Sequence, residues 1–416
     1  MTEVKIKAHT ATSNKPLSVD ITVVGAGLVG LAAALACHEA GYSVALVDRD
    51  PAPGQLTTEQ DPATPMGLRH WDARIYAISP NNANWLTALG VWPLLAKARI
   101  GQIDRMQIFA DASPLNLAAE DGLAACLAYV IEAQSLMRAL LQRIQASGIP
   151  VLFGQPCAKL SSTSEKTHLI LADNRQLSSR LLIAADGSQS WVRQQLPIAV
   201  QHKSYEQRAI VANFTVEKPH ANVARQWFSG NERTGHAILA WLPLPNNTIS
   251  IVWSVSLAYA DQLLNLSDAE FTLAVMQAGG EALGQMHLQS PPQAFPLSMQ
   301  SCEAIAHDGV VLVGDAAHQV HPMAGQGVNL GFRDVIDLLA SLREKHSYQS
   351  VADKQLLKAY TRRRKADVLA MQCLTDGLFQ VFASRQPWIK RLRNLAWSAA
   401  DHRLIKKKLL AYATEL

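Results

Sequence analysis

Cysteine is scarce in this chain, and the few cysteines present are widely separated. The 416 residues include five of them, an odd number, and no two form a Cys-x-x-Cys pair: Cys37, Cys126, Cys157, Cys302 and Cys373. These facts disfavour a disulfide framework. They fit a protein of a reducing compartment such as the cytoplasm.

An excess of charge is also missing. Charged residues make up 17% of the chain, hydrophobic residues make up 49%, and the formal net charge is +4. This is the composition of a packed globular protein, and no nucleic-acid recognition motif accompanies it, so nucleic acid is not an expected partner. The length exceeds one ordinary hydrophobic core and predicts two domains, or one domain that carries an insertion.

Long hydrophobic runs are rare as well. The N-terminal stretch MTEVKIKAHTATSNKPLS lacks the apolar segment of a secretory signal, and we interpret residues 1–18 as a flexible leader. One long uncharged apolar run, ITVVGAGLVGLAAALAC (Ile21–Cys37), is barely long enough to span a membrane. It contains a more specific pattern, which favours a different interpretation.

That run holds a glycine motif between a predicted strand and a predicted helix. Residues 19–24 (VDITVV) predict a buried parallel strand, and an alanine-rich helix follows Gly25-x-Gly27-x-x-Gly30. Gly25 permits a tight turn, Gly27 lets a pyrophosphate approach the backbone, and Gly30 lets the helix pack on the strand. A second strand ends at Asp48, where a carboxylate can accept hydrogen bonds from both hydroxyls of a ribose. The pattern predicts a dinucleotide site for FAD or NAD rather than NADP.

Two further predicted strands end beside a glycine and an aspartate. LLIAADGSQSWVR contains Asp186-Gly187 directly after its apolar part, a pattern that ordinary strand-to-turn connections share. VVLVGD ends in Gly314-Asp315 and resembles the first of the two. The segment after Asp315 is rich in glycine, so its backbone can approach a ring system, and a helix is predicted from about residue 332 to 345.

The same segment contains a second pattern, Asp315-x-x-His318-x-x-His321, which could ligate a metal ion. Proline follows His321 and no fourth ligand stands nearby, whereas zinc sites show tighter ligand pairs, so no metal is expected. The alternative is that His321 and Pro322 line the active site and that His318 makes a structural hydrogen bond. A third interpretation makes both histidines ordinary core residues.

With these motifs, the chain resembles the group A flavoprotein monooxygenases, and within them the FAD-dependent hydroxylases of ubiquinone biosynthesis. The resemblance runs from about Val19 to the C-terminus. The segments that carry it are the glycine motif at 25–30, DARIYAIS (72–79), ADGSQSWVR (185–193), GDAAHQVHPMAGQGVNLGFRD (314–334) and YTRRRKADVLAMQCLTDGLFQVFAS (360–384). There are two departures. Asp48 stands where the family commonly has glutamate, and VIEAQSL (130–136) matches a flavin-contact segment only loosely.

The resemblance implies which residues hold FAD. In the family, an arginine at the position of Arg74 lies near the flavin and an aspartate at the position of Asp315 accepts a ribityl hydroxyl. The loop and helix start that follow cover the isoalloxazine ring. The cofactor-binding residues predicted on this basis and from the glycine motif are Gly25, Gly27, Gly30, Asp48, Arg49, Arg74, Gln134, Asp186, Gly314, Asp315, Gly325, Gly327, Val328 and Asn329.

The resemblance also implies an α/β fold like that of para-hydroxybenzoate hydroxylase. Such a fold has a Rossmann-like FAD-binding domain, an inserted antiparallel-sheet substrate domain and a C-terminal helical region. The expected boundaries are a leader at 1–18, FAD-binding parts at 19–80, 131–198 and 299–346, a helical or substrate-side insertion at 81–130, the substrate domain at 199–298 and C-terminal helices at 347–416.

Alternating hydrophobicity points independently to the antiparallel sheet. The alternating segments are 208–217, 223–229, 236–244 and 248–255. Trp227, Trp241 and Trp253 lie on them. Either these tryptophans pack in the core, or part of this sheet roofs an apolar cavity for an aromatic substrate.

Basic residues concentrate near the C-terminus. From Val381 to Leu416, eight lysines and arginines stand against Asp401 and Glu415, with tryptophan and leucine interleaved. A basic amphipathic helix can lie on an anionic membrane surface, or it can be a solvated helix packed on the body of the protein. The first interpretation predicts a cytoplasmic protein at the periphery of the inner membrane.

The activity that the resemblance implies is hydroxylation of the ring of a polyprenylated phenol in ubiquinone biosynthesis. It uses NAD(P)H as co-substrate and O₂, and it proceeds through a flavin hydroperoxide. The expected partners are the prenylated phenol, O₂, a membrane surface and a ubiquinone-biosynthesis protein complex. No catalytic base can be named. Two alternatives keep the cofactor: a flavin-dependent reductase of the same fold, and a catalytically silent FAD-binding scaffold subunit of a biosynthetic complex.

Overall fold

The structure is a computed structural model that describes residues 16–53, 71–110, 114–122, 124–231, 234–320 and 326–383. Its strands are β1 (Leu17–Ser18), β2 (Ile21–Val24), β3 (Val44–Val47), β4 (Ile75–Ile78), β5 (Gly101–Ile103), β6 (Arg105–Phe109), β7 (Leu115–Ala118), β8 (Ala128–Glu132), β9 (Val151–Leu152), β10 (Cys157–Ser162), β11 (Thr167–Leu171), β12 (Gln176–Ser179), β13 (Leu181–Ala184), β14 (Val200–Val216), β15 (Val223–Asn231), β16 (Gly235–Leu244), β17 (Thr248–Ser256), β18 (Met286–Leu288), β19 (Gln293–Cys302), β20 (Ala306–His307), β21 (Val310–Leu312) and β22 (His318–Gln319). Its α-helices are α1 (Leu28–Glu39), α2 (Pro80–Ala88), α3 (Ala133–Ala146), α4 (Trp191–Gln194), α5 (Leu257–Leu264), α6 (Asp268–Ala278), α7 (Gly327–Arg343) and α8 (Lys354–Ala383).

A mostly parallel sheet forms the first layer, in the strand order β20-β21-β13-β2-β3-β9. Every neighbouring pair is parallel except β20 with β21. All residues of β2, β3, β13 and β21 are buried, which explains why these strands read as unbroken apolar runs. Strands β2, β13 and β21 come from distant parts of the chain. Because they are parallel neighbours, their carboxyl ends lie at one edge of the sheet.

Helix α1 is apolar on nearly every side because protein surrounds it. It contacts β2, β3, α3 and α7, and its buried residues include Leu31, Leu35 and Cys37. The long uncharged run of the sequence is therefore an interior strand and an interior helix. Within the residues that the structure describes, no helix combines the length and the apolar character that crossing a bilayer requires.

A second, larger sheet runs in the order β22-β19-β14-β17-β16-β15-β6-β7, with β18 beside β14. Its neighbouring strands are antiparallel apart from β6 and β15, so the predicted antiparallel sheet is confirmed. Strand β14 is its longest strand and shifts register against β19 between Ser204 and Gln207. Glu206 has a φ of 53° there, which marks a β-bulge.

Two small sheets complete the fold. One has the order β4-β8-β5 and the other the order β1-β12-β11-β10. The segment 81–130 contributes most of α2, three short 3₁₀ helices, strands β5 to β7 and the start of β8. Of the region 347–416, the described part is α8, which packs against α7.

Helix α7 begins at Gly327, earlier than the predicted start near residue 332. Asn329 accounts for the difference. Its Nδ2 donates to the carbonyl of Ala77 at 2.8 Å, and its Oδ1 accepts from the backbone N–H of Ser79 at 3.0 Å and from Nδ2 of Asn82 at 2.9 Å. These bonds anchor the first helical turn to a distant segment, whereas asparagine among glycines indicates a loop when it is read locally.

Candidate flavin and substrate site

The glycine motif forms a tight turn between β2 and α1. Gly25 has a φ of +104°, and a Cβ on it would lie 2.3 Å from the carbonyl oxygen of Ala185. A Cβ on Gly30 would lie 1.9 Å from the carbonyl oxygen of Gly25. Both positions therefore require glycine for internal packing. Gly27 differs, because a Cβ on it would meet no protein atom within 4 Å. No side chain caps the helix that begins after it. The uncapped N-terminus of α1 is thus left open to an anion.

Asp48 follows β3 beside this turn. Its carboxylate accepts hydrogen bonds from the backbone N–H of Ala26 and, at 2.7 Å, from that of Asp50. Arg49 is exposed on the surface, with its Nε 3.9 Å from a carboxylate oxygen of Asp50. The structure therefore places Asp48 next to the glycine turn, and it places the Arg49 side chain at the protein surface beside it.

Asp186 follows β13, the strand that pairs with β2. Its Oδ2 accepts from the backbone N–H of Val192 at 3.1 Å, while its Oδ1 is buried and has no hydrogen-bond partner in the structure. Burial raises the pKa of this carboxyl. A buried acceptor without a donor costs roughly 1–3 kcal/mol. A ligand hydroxyl could supply that donor, so Asp186 fits a dinucleotide bound along the sheet edge.

The third turn follows β21 at Gly314-Asp315. Gly314 has a φ of +58°, and its N–H donates to Oδ2 of Asp334 at 2.7 Å. The Asp315 side chain is accessible to solvent, yet the protein around it raises the pKa of its carboxyl by desolvation, against the effects of His318 and Arg74. A carboxyl that is both accessible and largely surrounded lies in a concave part of the surface. This is a suitable place for a ligand of the size of a flavin.

Arg74, the residue before β4, reaches the same concave region. Its guanidinium lies over the ring of Phe295, 5.2 Å from the ring centroid, on the facing antiparallel sheet. Tyr76 stands two residues further on, so it is on the same side of β4. Burial raises the pKa of the Tyr76 hydroxyl. The charge of Arg74 lowers this pKa, and the charge of Asp315 raises it further. Arg74, Tyr76, Asp315 and Phe295 thus surround one cleft between the two sheets.

Gln134 enters this region through its backbone. Its N–H donates to Oδ2 of Asp72 at 3.1 Å, and its side chain is exposed. Glu132, two residues earlier, forms a buried ion pair with Arg99 at 2.6 Å and accepts from the N–H of Asp72 at 2.8 Å. Glu132 and the backbone of Gln134 therefore hold Asp72, two residues before Arg74, through its N–H and its carboxylate.

His318 lies in the interior, not in the cleft. Its Nε2 is 2.8 Å from Oδ2 of Asp334, and the side chain is 3% exposed, so the predicted structural hydrogen bond is confirmed. Among the described residues, no group of three or more histidines, cysteines and acids is placed to hold a metal ion. His321, Pro322 and Gly325, which were predicted to line the active site or bind the cofactor, lie outside the described residues.

The start of α7 leaves its backbone open at Gly327, whereas the Asn329 side chain is used within the protein. Gly327 faces open space, Val328 is 8% exposed, and Asn329 uses its amide to hold the segment from Ala77 to Asn82. No side chain caps this helix start at Gln326. Its open N–H groups are available to an electronegative ligand edge.

Three residues that organise the site carry no recognisable local signal. Arg193 donates from Nη1 to the carbonyl of Ala316 at 2.7 Å and from Nη2 to that of Ser188 at 2.6 Å, so it ties two of the turns together. Asp334 holds the third turn through Gly314, and Arg364 of α8 pairs with Asp334 at 2.6 Å. Arg193 and Asp334 belong to quoted motifs, but only the pairing seen in three dimensions assigns them a role.

The tryptophans of the antiparallel sheet lie on the face away from the cleft. Trp241 is 1% exposed and Trp253 is 3% exposed, and both pack in the core beneath α5 and α6. Trp227 packs at the edge of that core, stacked on Phe109 with ring centroids 5.1 Å apart. The core interpretation is therefore the correct one, and the interpretation in which these tryptophans roof a substrate cavity is wrong for these side chains.

The opposite face of the sheet is turned towards the FAD-binding part. Asn213 on that face donates from Nδ2 to the carbonyl of Asp72 at 3.0 Å. Two cross-strand rows extend over it, and we call them the cleft face: Phe228, Ile238, Ser254, Ala209 and Phe295 in one row, and Gln226, Ala240, Val252, Val211 and Gln293 in the other. These ten side chains are apolar or neutral, so the cleft face suits an uncharged, largely apolar ligand.

Comparison with known proteins places these features in a wider group. The sequence profile described as "FAD binding domain" matches residues 18–375. The 3-demethoxyubiquinol 3-hydroxylase of Escherichia coli (strain K12) is 31% identical over 416 residues, which cover 97% of this chain and 100% of that protein. The human mitochondrial ubiquinone biosynthesis monooxygenase COQ6 is 28% identical, over 95% of this chain and 92% of that protein.

A solved structure shows the same architecture. The p-nitrophenol 4-monooxygenase PnpA of Pseudomonas putida DLL-E4 superimposes with a TM-score of 0.72 and 15% sequence identity, over 96% of this chain and 99% of that one. At this identity the likeness concerns the fold alone. It confirms the predicted α/β fold of a flavin-binding domain with an antiparallel-sheet domain beside it.

Proposed function

The chain belongs to the FAD binding domain family, and we propose that it is an FAD-dependent monooxygenase that hydroxylates the ring of a polyprenylated phenol in ubiquinone biosynthesis. NAD(P)H donates the electrons and O₂ is the oxidant. The observation that carries this function is the full-length match to a 3-demethoxyubiquinol 3-hydroxylase, together with three turns that converge on one cleft. When bound, FAD supplies the redox chemistry that couples NAD(P)H oxidation to oxygen insertion.

The chain's own residues bind and orient the cofactor. The turn at Gly27 and the start of α1 hold the pyrophosphate, and Asp48 accepts from the ribose. Asp315 accepts from the ribityl chain, and Asp186 offers its unpartnered oxygen to the same ligand. The assignment of each contact rests on the position of the residue in the cleft and on the family resemblance.

The cleft face orients the substrate and excludes water. A neutral prenylated ring fits the uncharged side chains of this face, whereas an aromatic carboxylate would lack a cationic partner among those ten residues. Arg74 stands over Phe295 at the boundary between the flavin side and the substrate side. A ring that already carries a hydroxyl group is electron-rich, so positioning and dryness are the main demands on the protein.

Membrane contact and assembly are part of the same proposal. A polyprenylated substrate partitions into the bilayer, so an enzyme that hydroxylates it works at the membrane surface, either alone or within a biosynthetic complex. The basic segment expected to make this contact, from Val381 onward, lies almost entirely outside the described residues. Binding of the full chain to vesicles containing anionic lipid, measured by sedimentation at increasing salt, tests the contact.

Prenylphenols and quinones extracted from cells lacking this protein test the function itself. Accumulation of a prenylated phenol one hydroxyl short of a quinone intermediate, restored by the wild-type chain, is the expected result. The purified FAD-loaded protein should then consume O₂ only when both NADH or NADPH and that phenol are present. An unchanged quinone pool would overturn the proposed substrate. NAD(P)H oxidation without hydroxylated product would instead identify a reductase, and no oxidation at all would identify a scaffold.

A further inference from the structure

We propose that Arg364 of α8 is a positioning residue for the flavin-binding turn at Gly314-Asp315, and that α8 couples this turn to the substrate sheet. The inference rests on the proposed placement of FAD in the cleft. It extends that placement to a residue that touches neither cofactor nor substrate.

The connection from Arg364 to the turn is direct and buried. Nε of Arg364 donates to Oδ1 of Asp334 at 2.6 Å, and both side chains are 0% exposed. The other oxygen of Asp334 accepts from the N–H of Gly314 at 2.7 Å and lies 2.8 Å from Nε2 of His318. One carboxylate thus fixes both ends of the segment that presents Asp315 to the cleft.

The charges of this cluster favour an ionised Asp334. Burial alone would raise the pKa of Asp334, but His318 and Arg364 hold it below its ordinary value. Arg364 also reaches Asp337 and Asp367 with Nη1, each at 2.9 Å. Removal of Arg364 would leave Asp334 charged and unpaired in the interior, and a carboxylate in that state reorganises its hydrogen bonds or takes up a proton.

Other side chains hold the carbonyls of this turn, since Gln300 donates to Asp315 at 3.2 Å and Arg193 to Ala316 at 2.7 Å, but the N–H of Gly314 depends on Asp334. Gly314 adopts a positive φ of +58°, and its N–H has Asp334 as its acceptor. A protonated or displaced Asp334 accepts less well from both Gly314 and His318. The peptide N–H of Gly314 would then lose its acceptor and the start of the turn would shift, although the parallel sheet before it and the bond from Gln300 to the carbonyl of Asp315 remain.

The same helix continues to the substrate sheet. Gln372 donates from Nε2 to the carbonyl of Gln300 in β19 at 3.0 Å, and Asp376 accepts from Nζ of Lys203 in β14 at 2.6 Å. Tyr360, at the other end, donates its hydroxyl to the carbonyl of Leu312 in β21 at 3.0 Å. A single helix therefore spans from the flavin turn to the strands of the cleft face.

The neighbouring residue supplies a matched control. Arg363 stands beside Arg364 on α8, but it pairs with Glu344 at 2.7 Å at the surface, and its side chain is 37% exposed. The variants Arg364→Met, Arg364→Lys and Arg363→Met thus compare a buried connection, its conservative replacement and a surface ion pair in the same helix turn.

The experiment titrates FAD into each apoprotein and follows the quenching of flavin fluorescence. It also records the melting temperature of the apoprotein and the visible spectrum of the bound flavin. Arg364→Met should raise the dissociation constant for FAD by about tenfold or more and shift the flavin spectrum. Arg364→Lys should recover part of both effects, and Arg363→Met should match the wild type within about twofold.

Two results would overturn the inference. One is wild-type affinity and spectrum in Arg364→Met. The other is an equal loss in Arg364→Met and Arg363→Met. If Arg364→Met does not fold, Arg364→Lys decides, because an apoprotein that melts near the wild-type temperature but shows an unchanged spectrum and affinity refutes the positioning role. Failure of the wild-type protein itself to bind FAD would instead refute the proposed function.

Discussion

The parallel-sheet edge and the antiparallel sheet contribute to one cleft in different ways. The parallel-sheet edge presents backbone in three turns at the ends of β2, β13 and β21, and in the first turn a Cβ on Gly25 or Gly30 would collide with backbone. The antiparallel sheet presents side chains, and it sorts them by face. Large aromatic residues such as Trp241 and Trp253 lie on the helix-covered face, and neutral side chains lie on the cleft face.

This difference teaches how separable the functions of the two regions are. At the sheet edge, packed positions such as Gly25 and open positions such as Gly27 belong to the same turn, so many substitutions should affect both the fold and the proposed cofactor site. On the antiparallel sheet, alternate residues of one strand serve stability and ligand binding separately, because successive side chains point to opposite faces.

Substitution of Gly25 should have the largest effect. In Gly25→Val, the new Cβ would lie 2.3 Å from the backbone of Ala185, and the residue would have to keep a φ of +104°. We expect a loss of more than about 4 kcal/mol in the free energy of unfolding, and no FAD binding. Urea unfolding monitored by circular dichroism measures the loss. Wild-type stability would contradict the view that this turn is defined by packing.

Gly27→Ala is the counterpart in the same turn. A Cβ at Gly27 meets no protein atom within 4 Å, so the apoprotein should melt at the wild-type temperature. Because the added methyl group occupies the approach of the pyrophosphate, the dissociation constant for FAD should rise about tenfold. Unchanged FAD affinity would place the pyrophosphate elsewhere, and it would break the claim that this turn serves the cofactor.

Truncation of Trp241 should give the next largest effect on stability. The side chain is 1% exposed, and Trp241→Ala leaves a cavity in the core under α6, at a cost of about 3–5 kcal/mol. If the folded variant is loaded with FAD, its flavin spectrum should equal that of the wild type. Chemical unfolding gives the first quantity and absorbance the second. A changed flavin spectrum would show that the two faces are not independent.

Two alanines of β16 sharpen the comparison between the faces. Ala240 lies on the cleft face and Ala237 lies in the core on the other face. Ala240→Leu should raise KM for the phenol about tenfold at near-wild-type stability, because the larger side chain occupies substrate space. Ala237→Leu should cost about 1–3 kcal/mol by overpacking and leave KM unchanged. Steady-state kinetics and thermal melts on both variants provide the test, and an exchange of these two outcomes would reverse the assignment of the faces.

The smallest effect concerns pH and Asp186. Burial raises the pKa of this carboxyl in the folded apoprotein. The contribution of Asp186 to the free energy of unfolding is therefore fully present below the ordinary pKa of aspartate. It is lost as the pH rises through the raised pKa. Asp186→Asn removes this loss and keeps an acceptor for the N–H of Val192. The apoprotein melting temperature of the variant, relative to wild type, should increase between about pH 4 and about pH 7. A constant difference across that interval would contradict the prediction.

Local patterns in the sequence were enough to predict the three turns at the edge of the parallel sheet. Gly25 and Gly314 adopt a positive φ and a Cβ on Gly30 would meet the carbonyl of Gly25, so the backbone of each turn itself favours glycine, and the strands before them are short apolar runs. Such constraints appear in any window of the sequence that contains the turn. The prediction of three strand ends at one edge therefore needed no knowledge of distant pairing beyond the parallel sheet itself.

Other features depended on pairing that no local window contains. The start of α7 at Gly327 depends on Asn329 binding a segment about 250 residues earlier in the chain. The tie between Asp334 and Arg364 joins two helices, and the face on which Trp241 lies depends on which side α5 and α6 pack. Periodicity identified the strands of the antiparallel sheet but could not identify the face that meets the cofactor.

The strand order of the parallel sheet also has a consequence for biosynthesis. Strand β2 pairs with β13, and β13 pairs with β21, so this sheet is complete only after the segment from Val310 to Leu312 has left the ribosome. Arg364, which secures the last turn, follows later still. The proposed FAD site is therefore complete only after Arg364 has been synthesised, and the first βαβ unit must be protected from aggregation until then.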